Sequence, residues 1–284
     1  MPISVHVHIV GLNRSLSTTE ASILSSVLTP LSRIPGLRAQ TNIVLIRPEG
    51  AIYNSLSGES GLVETEVPKS LGVLPVTYLD QSVLAARAQA PASRLLALGD
   101  VYEDRGKSIE FSLIYMLALA HSAEMMNEVA DVLIVLRPDV AIAGRLWIGW
   151  RAISLAIKSR AHRPEIYTPA WGNFGGVNDR FAMMSGQLAQ RYLTRVQNVD
   201  AWLEQGHPFD PEKFLDFSLR GLIIRKCIYT PMFRIRIGGR LEEADLSFFS
   251  TVPPVARLRD FLVKVAQILR SSLVRVAQRP GGAT

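Results

Sequence analysis

Apolar and polar positions alternate from the start of the chain. Ile3-Ser4-Val5-His6-Val7-His8-Ile9-Val10 is rich in β-branched side chains and runs into Gly11, which is the pattern of a strand. Beyond Gly11 the period lengthens. Ile23, Leu24, Val27, Leu28 and Leu31 fall on one helical stripe, and Pro35-Gly36 ends it. Ser17, Thr18 and Thr19 are the N-cap candidates, with Glu20 at a capping-box spacing from Ser17. Residues 41–46 and 73–79 read as buried strands, separated by a Gly/Ser-rich loop over 55–61. A helix over about 107–129, with Ile109, Leu113, Met116, Leu117, Ala120 and Ala123 on its apolar side, leads to Val132-Leu133-Ile134-Val135-Leu136. That unbroken apolar run fits an interior strand covered on both faces.

Strand, helix and strand in alternation predict an α/β fold: an open, mainly parallel sheet flanked by helices. In the second half, helices are expected over 151–159, 187–199 and 211–219, and strands over 165–168, 222–228 and 233–237. Residues 255–276 form an amphipathic pattern, with Leu258, Leu262, Val265, Leu269, Leu273 and Val276 on one stripe. The expected organisation is one domain over 1–254, followed by a basic amphipathic helix and tail over 255–284. The longest apolar stretch, 111–120, falls short of the ~20 residues that cross a bilayer. The N-terminus lacks the basic start and apolar core of a signal peptide, and a cytoplasmic location is expected.

Composition supports a packed core. The chain has 284 residues, 48% hydrophobic and 20% charged, which excludes extended disorder. Its single cysteine, Cys227, excludes an internal disulfide and, between isoleucines, reads as a structural thiol. The net charge of +6 is concentrated: residues 131–284 carry 22 Lys/Arg against 13 Asp/Glu. Such an excess favours an anionic partner, whether a nucleotide diphosphate, a lipid phosphate or a membrane surface. Nucleic acid is disfavoured, because the arginines lie among apolar runs without aromatic interleaving. The C-terminal helix carries Arg257, Arg259, Lys264, Arg270, Arg275 and Arg279 against Asp260 alone. It suits peripheral membrane contact through 255–279, and equally a cover on the sheet's flank.

Three places concentrate chemistry. At Leu136-Arg137-Pro138-Asp139 a buried strand delivers a guanidinium and a carboxylate at its C-terminal end, where open α/β sheets place ligands. A carboxylate there can ligate a divalent cation bridging two phosphates, and an arginine can bind phosphate oxygens directly. Residues 171–182 combine Trp171, a flat face for a sugar, with Gly175-Gly176 and with Asn178, Asp179 and Arg180. The turn Gly11-Leu12-Asn13-Arg14-Ser15 puts backbone N–H groups ahead of a helix, a place for a nucleotide or phosphate. Neither a dinucleotide fingerprint nor a complete phosphate loop is present: Val101 stands where the first glycine ahead of Arg105-Gly106-Lys107-Ser108 should be. His6 and His8, on one face of the first strand, read as satisfied, partly buried histidines, and His207 as a loop residue.

Taken in order, these segments resemble poorly characterised bacterial glycosyltransferases with a GT-A-like, nucleotide-diphospho-sugar transferase fold. The shared pieces are the G-x-x-R-S turn at 11–15, Thr29-Pro30-Leu31, the R-x-D at 137–139, the GG-x-NDRFA segment at 175–182, Glu212 after His207-Pro208, and the spaced Arg234 and Arg236. The likeness covers roughly residues 3–240 and departs at two points: Arg137 stands where the usual Asp-x-Asp metal motif has its first acid, and the loop between the second and third strands is poorly matched.

The resemblance implies sugar transfer from a nucleotide-sugar donor to a glycan or lipid-linked glycan acceptor, in the building of cell-surface polysaccharide. It implies that Gly11, Asn13 and Arg14 contact the nucleotide. Arg137 and Asp139 would hold the diphosphate, Asp139 through Mn²⁺ or Mg²⁺. Gly175, Gly176, Asn178 and Arg180 would orient a sugar beside Trp171. An inverting transfer needs a carboxylate base, for which Asp179 and Glu212 are the candidates, Asp179 preferred. The alternative is a non-catalytic nucleotide- or carbohydrate-binding protein of the same fold.

Overall fold

The computed structural model describes residues 2–54 and 58–250, the side chains of 247–250 excepted. The chain opens with β1 (Ile3–Leu12), α1 (Leu16–Ile23) and α2 (Thr29–Ser32), the two helices joined by a π-helical turn. Then come β2 (Leu37–Arg47), the short hairpin β3 (Ile52–Asn54) and β4 (Glu59–Gly61), and β5 (Val76–Asp80). Helices α3 (Gln81–Leu96) and α4 (Lys107–Glu124) lead to β6 (Val132–Leu136) and β7 (Val140–Ile142). Next are α5 (Ile148–Arg160), β8 (Glu165–Pro169) and β9 (Phe181–Ser185). Short helices α6 (Ala189–Leu193) and α7 (Val199–Leu203) precede α8 (Pro211–Ser218). The described part closes with β10 (Ile223–Ile228), β11 (Met232–Arg234) and α9 (Glu243–Ser250).

Seven strands form one sheet in the order β10-β8-β9-β6-β1-β2-β5. Only β9 runs against its neighbours, pairing antiparallel with β6 and β8. The remaining pairings are parallel. The expected open, mainly parallel sheet flanked by helices is therefore present.

Alternation explains the two-sided core. Leu133 and Val135 of β6 point into a layer with Leu113 and Leu119 of α4, Tyr192 and Phe214. Val132, Ile134 and Leu136 point the other way, into a layer with Leu16, Ile23 and Val27 and with Ala152 and Leu155 of α5. Both faces of β6 are thus covered, which is why its five residues are all apolar.

Several expectations needed correction. The first helix begins at Leu16 with Ser15 at its N-cap position, and the main chain and hydroxyl of Ser17 bind Glu64 instead of a capping-box partner. Helix α4 stops at Glu124, because residues 125–131 turn the chain back into β6. The helix expected over 187–199 is broken into α6, a 3-10 turn and the start of α7. The elements that went unread include α3, interrupted in sequence by Pro91, β9, hidden as the tail of a glycine-rich segment, and the short β3, β4, β7 and α9.

His6 and His8 are buried, and no hydrogen-bond partner among the described residues reaches His6 Nδ1 or either ring nitrogen of His8. They are not the satisfied histidines the sequence suggested. No described helix is long and apolar enough to cross a membrane. The helix expected over 255–276, and the boundary at 254/255, lie outside the described residues.

Candidate functional site

A cleft of about 450 Å³ opens at the C-terminal ends of β1 and β6. Its floor forms where two turns meet. Gly11, next to last in β1, takes φ +144°, and a Cβ there would stand 3.0 Å from Pro138 Cδ, so glycine lets the ends of β1 and β6 close on each other. Arg14 and Arg137 follow from these turns and both line the cleft.

Asp139 sits beneath them, only 1% exposed, and does not line the cleft. Arg137 holds it with two bonds of 3.0 Å, Nε to Oδ1 and Nη2 to Oδ2, and Arg14 Nη1 approaches Oδ2 at 3.3 Å. Burial alone would raise its pKa, yet the guanidiniums of Arg137 and Arg14 hold it well below the usual carboxylate range. The expected metal role of Asp139 is therefore corrected. Its oxygens already face two cations, and it meets no cluster of acids or histidines. Among the described residues no group of three or more His, Cys, Asp or Glu could hold a metal ion.

The remaining predicted residues divide by position. Asp179 and Arg180 line the cleft, as does Glu212 in the first turn of α8. Asn13 does not: its amide donates to the Glu66 carbonyl and its oxygen accepts from the Leu16 N–H, so it shapes the turn. Asn178 likewise binds the Trp171 carbonyl and the Arg180 N–H. Trp171 is 3% exposed and packs in the core under the Arg180 guanidinium, 5.1 Å from the ring centroid. It offers no face to a sugar in the cleft.

Gly175 and Gly176 are also not cleft residues. Gly175 takes φ +82°, and Gly176 approaches α8 so closely that the Val177 N–H donates to the Glu212 carbonyl at 2.9 Å. The glycines bring the loop against α8, and this sets Asp179 near Glu212.

Arginine dominates the walls. Besides Arg14, Arg137 and Arg180, the cleft is lined by Arg195, Arg234 and Arg236. Most are tethered by carboxylates. Asp245 takes Arg180 and Arg234 at 2.8 and 2.9 Å, and Glu242 takes Arg236 at 2.6 Å. Glu59 lies 3.4 Å from Arg236 and 3.6 Å from Arg14.

Arg195 differs. It is 2% exposed, rests on the rings of Tyr115 and Tyr192, and donates to the Tyr192 carbonyl, with no ion pair to a described carboxylate. A buried guanidinium lining a cavity without a counter-ion is a site for an anion. Sequence reading missed Arg195, because it lies in a 3-10 turn inside a stretch taken as one regular helix. Arg234 and Arg236 were legible as spaced arginines, but not the acids that aim them.

Of the acids that line the cleft, Glu242 is paired with Arg236, whereas Asp179 and Glu212 form no ion pair with described residues. Both are half-buried. Burial, then the charges of Asp179 and Asp210, raise Glu212 to about 7. Burial, with the charge of Arg234, lowers Arg180 to about 10. The cleft thus offers fixed positive charge, one unshared guanidinium and a carboxyl poised to exchange a proton near neutrality.

No protein family and no curated protein matches the chain by sequence. Among solved structures, the chain is similar to mouse xyloside xylosyltransferase 1 in its apo form, with 12% identity over 79% of this chain and 84% of that one, at a TM-score of 0.42. It is also similar to the galactosyltransferase LgtC in complex with donor and acceptor sugar analogues, with 9% identity over 78% of this chain and 73% of that one, at a TM-score of 0.41. A likeness of this degree carries no argument about activity, which rests on the cleft itself.

Proposed function

We propose that the cleft binds a nucleotide-sugar and transfers its sugar to a hydroxyl of a glycan acceptor. The observation that carries this reading is the facing of two kinds of group in one cavity: an arginine cluster with the unshared Arg195, and the acid pair Asp179 and Glu212. The first kind suits a diphosphate and the second suits a hydroxyl that must lose a proton.

In this reading Arg195 and Arg137 hold the diphosphate, with Arg14 and Arg236 adding field from below. Glu212 accepts the proton of the acceptor hydroxyl as its oxygen bonds to the anomeric carbon. The bond from that carbon to the diphosphate oxygen breaks, and its electron pair leaves with the nucleoside diphosphate. Guanidiniums already in place stabilise that charge as it develops. Glu212 is favoured over Asp179 as the base because its pKa lies near the working pH, where a base is most effective. Asp179 keeps that pKa raised and is placed to bind sugar hydroxyls. Asp139 orients Arg137 and Arg14, and no step runs through a cation. An acceptor in cell-surface polysaccharide is consistent with this chemistry and comes from the sequence resemblance.

Thermal-shift screening against UDP-, GDP-, CMP- and dTDP-sugars tests the binding half. A ligand that binds only the folded form raises the melting temperature. One nucleotide class is expected to do so in wild type and much less in Arg195→Ala. No shift with any of the four classes contradicts the reading.

A further inference from the structure

Away from the cleft, α5 carries an apolar stripe that the fold leaves uncovered. Trp147, Trp150 and Ile157 are 60%, 69% and 61% exposed. Trp150 and Ile157, seven residues apart, share one side of the helix, and Trp147, just ahead of its first residue, lines the same hollow as Trp150. The other two tryptophans, Trp171 and Trp202, are 3% and 5% exposed. Neither Trp147 nor Trp150 stacks on a ring or a cation among the described residues.

Trp147 is also held in strain. It adopts φ +51° and ψ +35° at the N-cap position of α5, a left-handed conformation that is costly for a bulky residue. Its neighbours Leu146 and Ile148 are each 1% exposed and pin the backbone on either side. The fold thus fixes an indole that lies mostly in solvent.

The surroundings are basic. Arg145 and Arg163 flank the two ends of α5, exposed and without an ion pair to any described carboxylate. Arg151 ties α5 to β10 through the Cys227 sulfur and carbonyl, at 3.3 and 3.2 Å, and pairs with no described carboxylate. Lys158 and Arg225 share the single buried carboxylate of Glu165. The polar groups here are satisfied by one another, so the shallow hollow between α5 and β10 is not built for a small ligand.

We propose that this face docks on an anionic lipid surface, with Trp147 and Trp150 in the headgroup region and the surrounding cations over lipid phosphates. Tryptophan favours that interface because the ring is apolar and its N–H is polar, and cations add attraction to anionic lipid. Charge decides against the other apolar occupants. A second copy of the same face would set cations on cations. The 255–279 segment, with six basic residues and one acid, carries net charge of the same sign as this face.

The full-length protein is tested by co-sedimentation with phosphatidylcholine vesicles and with vesicles also containing phosphatidylglycerol, and by quenching of its fluorescence with brominated lipid. Wild type is expected to partition onto the anionic vesicles about tenfold or more in excess of the neutral ones, with quenching that reports the two exposed indoles. Trp147→Ala/Trp150→Ala is expected to lose both binding and quenching at an unchanged melting temperature, and Arg145→Glu/Arg163→Glu to lose binding. Wild-type partitioning of the tryptophan variant, or sedimentation without quenching, overturns the proposal and assigns any binding to the basic C-terminal segment. Absence of partitioning by wild type overturns it outright.

Discussion

A Cβ added to Gly176 would stand 2.1 Å from both the carbonyl carbon and the carbonyl oxygen of Glu212. Real side chains never approach backbone so closely, so the contact between the glycine-rich loop and α8 exists only with glycine at 176. Through that contact Asp179 and Glu212 share a cleft.

Gly176→Ala is therefore expected to push the loop off α8. Overpacking of this kind costs about 1–3 kcal/mol, or a fall of about 5 °C in melting temperature for a chain of this size. The rate of transfer should fall further than nucleotide affinity, because the arginine cluster is held by other elements. Gly50→Ala, where a Cβ meets nothing within 4 Å, is the control and should change neither. Equal behaviour of the two variants in calorimetry and kinetics would contradict this role of Gly176.

Glu212 should impose a pH dependence. As a base it acts deprotonated, so kcat/KM should rise with pH through about 7 and level off above. Glu212→Gln should lose about 10²- to 10⁴-fold in rate, and the rise with it. Stability moves the other way. The pKa is raised above the 4.5 of an ordinary glutamate, so the native state holds this proton more tightly than the unfolded state. Its contribution is complete below about pH 4.5 and is lost as pH climbs through about 7. The melting temperature of Glu212→Gln should therefore gain on wild type across that window, and a constant difference would contradict the raised pKa.

His8 is expected to limit acid stability. Burial, with the neighbouring His6, lowers its pKa to about 4. The native state therefore excludes a proton that the unfolded state accepts, so stability is full above about pH 6.5 and falls between there and about 4. The total is roughly 3 kcal/mol from a shift of this size. His8→Leu removes the titration while keeping the site apolar. Its denaturation midpoint should decline less than that of wild type between pH 7 and 4. Parallel declines would show that His8 does not titrate as a buried group.

Asp139 should matter to the fold and to the placement of arginine, not to metal. Asp139→Ala leaves Arg14 and Arg137 without their shared carboxylate. Breaking such a buried pair costs about 3–5 kcal/mol, measurable by urea denaturation. Wild-type affinity for a nucleoside diphosphate, measured calorimetrically, should be the same in chelator as in Mn²⁺. An affinity that collapses in chelator would contradict the reading of Asp139 as a tether for two guanidiniums.

Much of this architecture was legible in the chain. The β1 alternation, the five apolar residues of β6 and the glycine turn after β1 follow from local periodicity, and local periodicity survives folding. The region 171–182 was legible as a special segment, but its purpose was not. Glycine next to polar residues suits a ligand and suits a neighbouring helix equally well. Only the path of α8, more than thirty residues later, decides between them. Asn13, Trp171 and Asn178 were drawn into the site for the same reason: their side chains are equipped for ligands, while in the fold they serve turns and core. Asp139 looked like a metal ligand because Arg14, far away in sequence, could not be seen to reach it. Arg195 was missed because an arginine among the other polar residues of an expected helix, Arg191 included, carries no sign of the missing partner that makes it informative.

The most direct measurement is single-turnover transfer by wild type, Glu212→Gln and Arg195→Ala, with nucleotide affinity measured alongside. Glu212→Gln should bind the nucleotide-sugar within about twofold of wild type while releasing nucleoside diphosphate at least 10²-fold more slowly. Arg195→Ala should weaken nucleotide binding and slow release together. Near wild-type turnover in Glu212→Gln, or undiminished nucleotide affinity in Arg195→Ala, would contradict the pairing of an arginine-held diphosphate with a carboxylate base in this cleft.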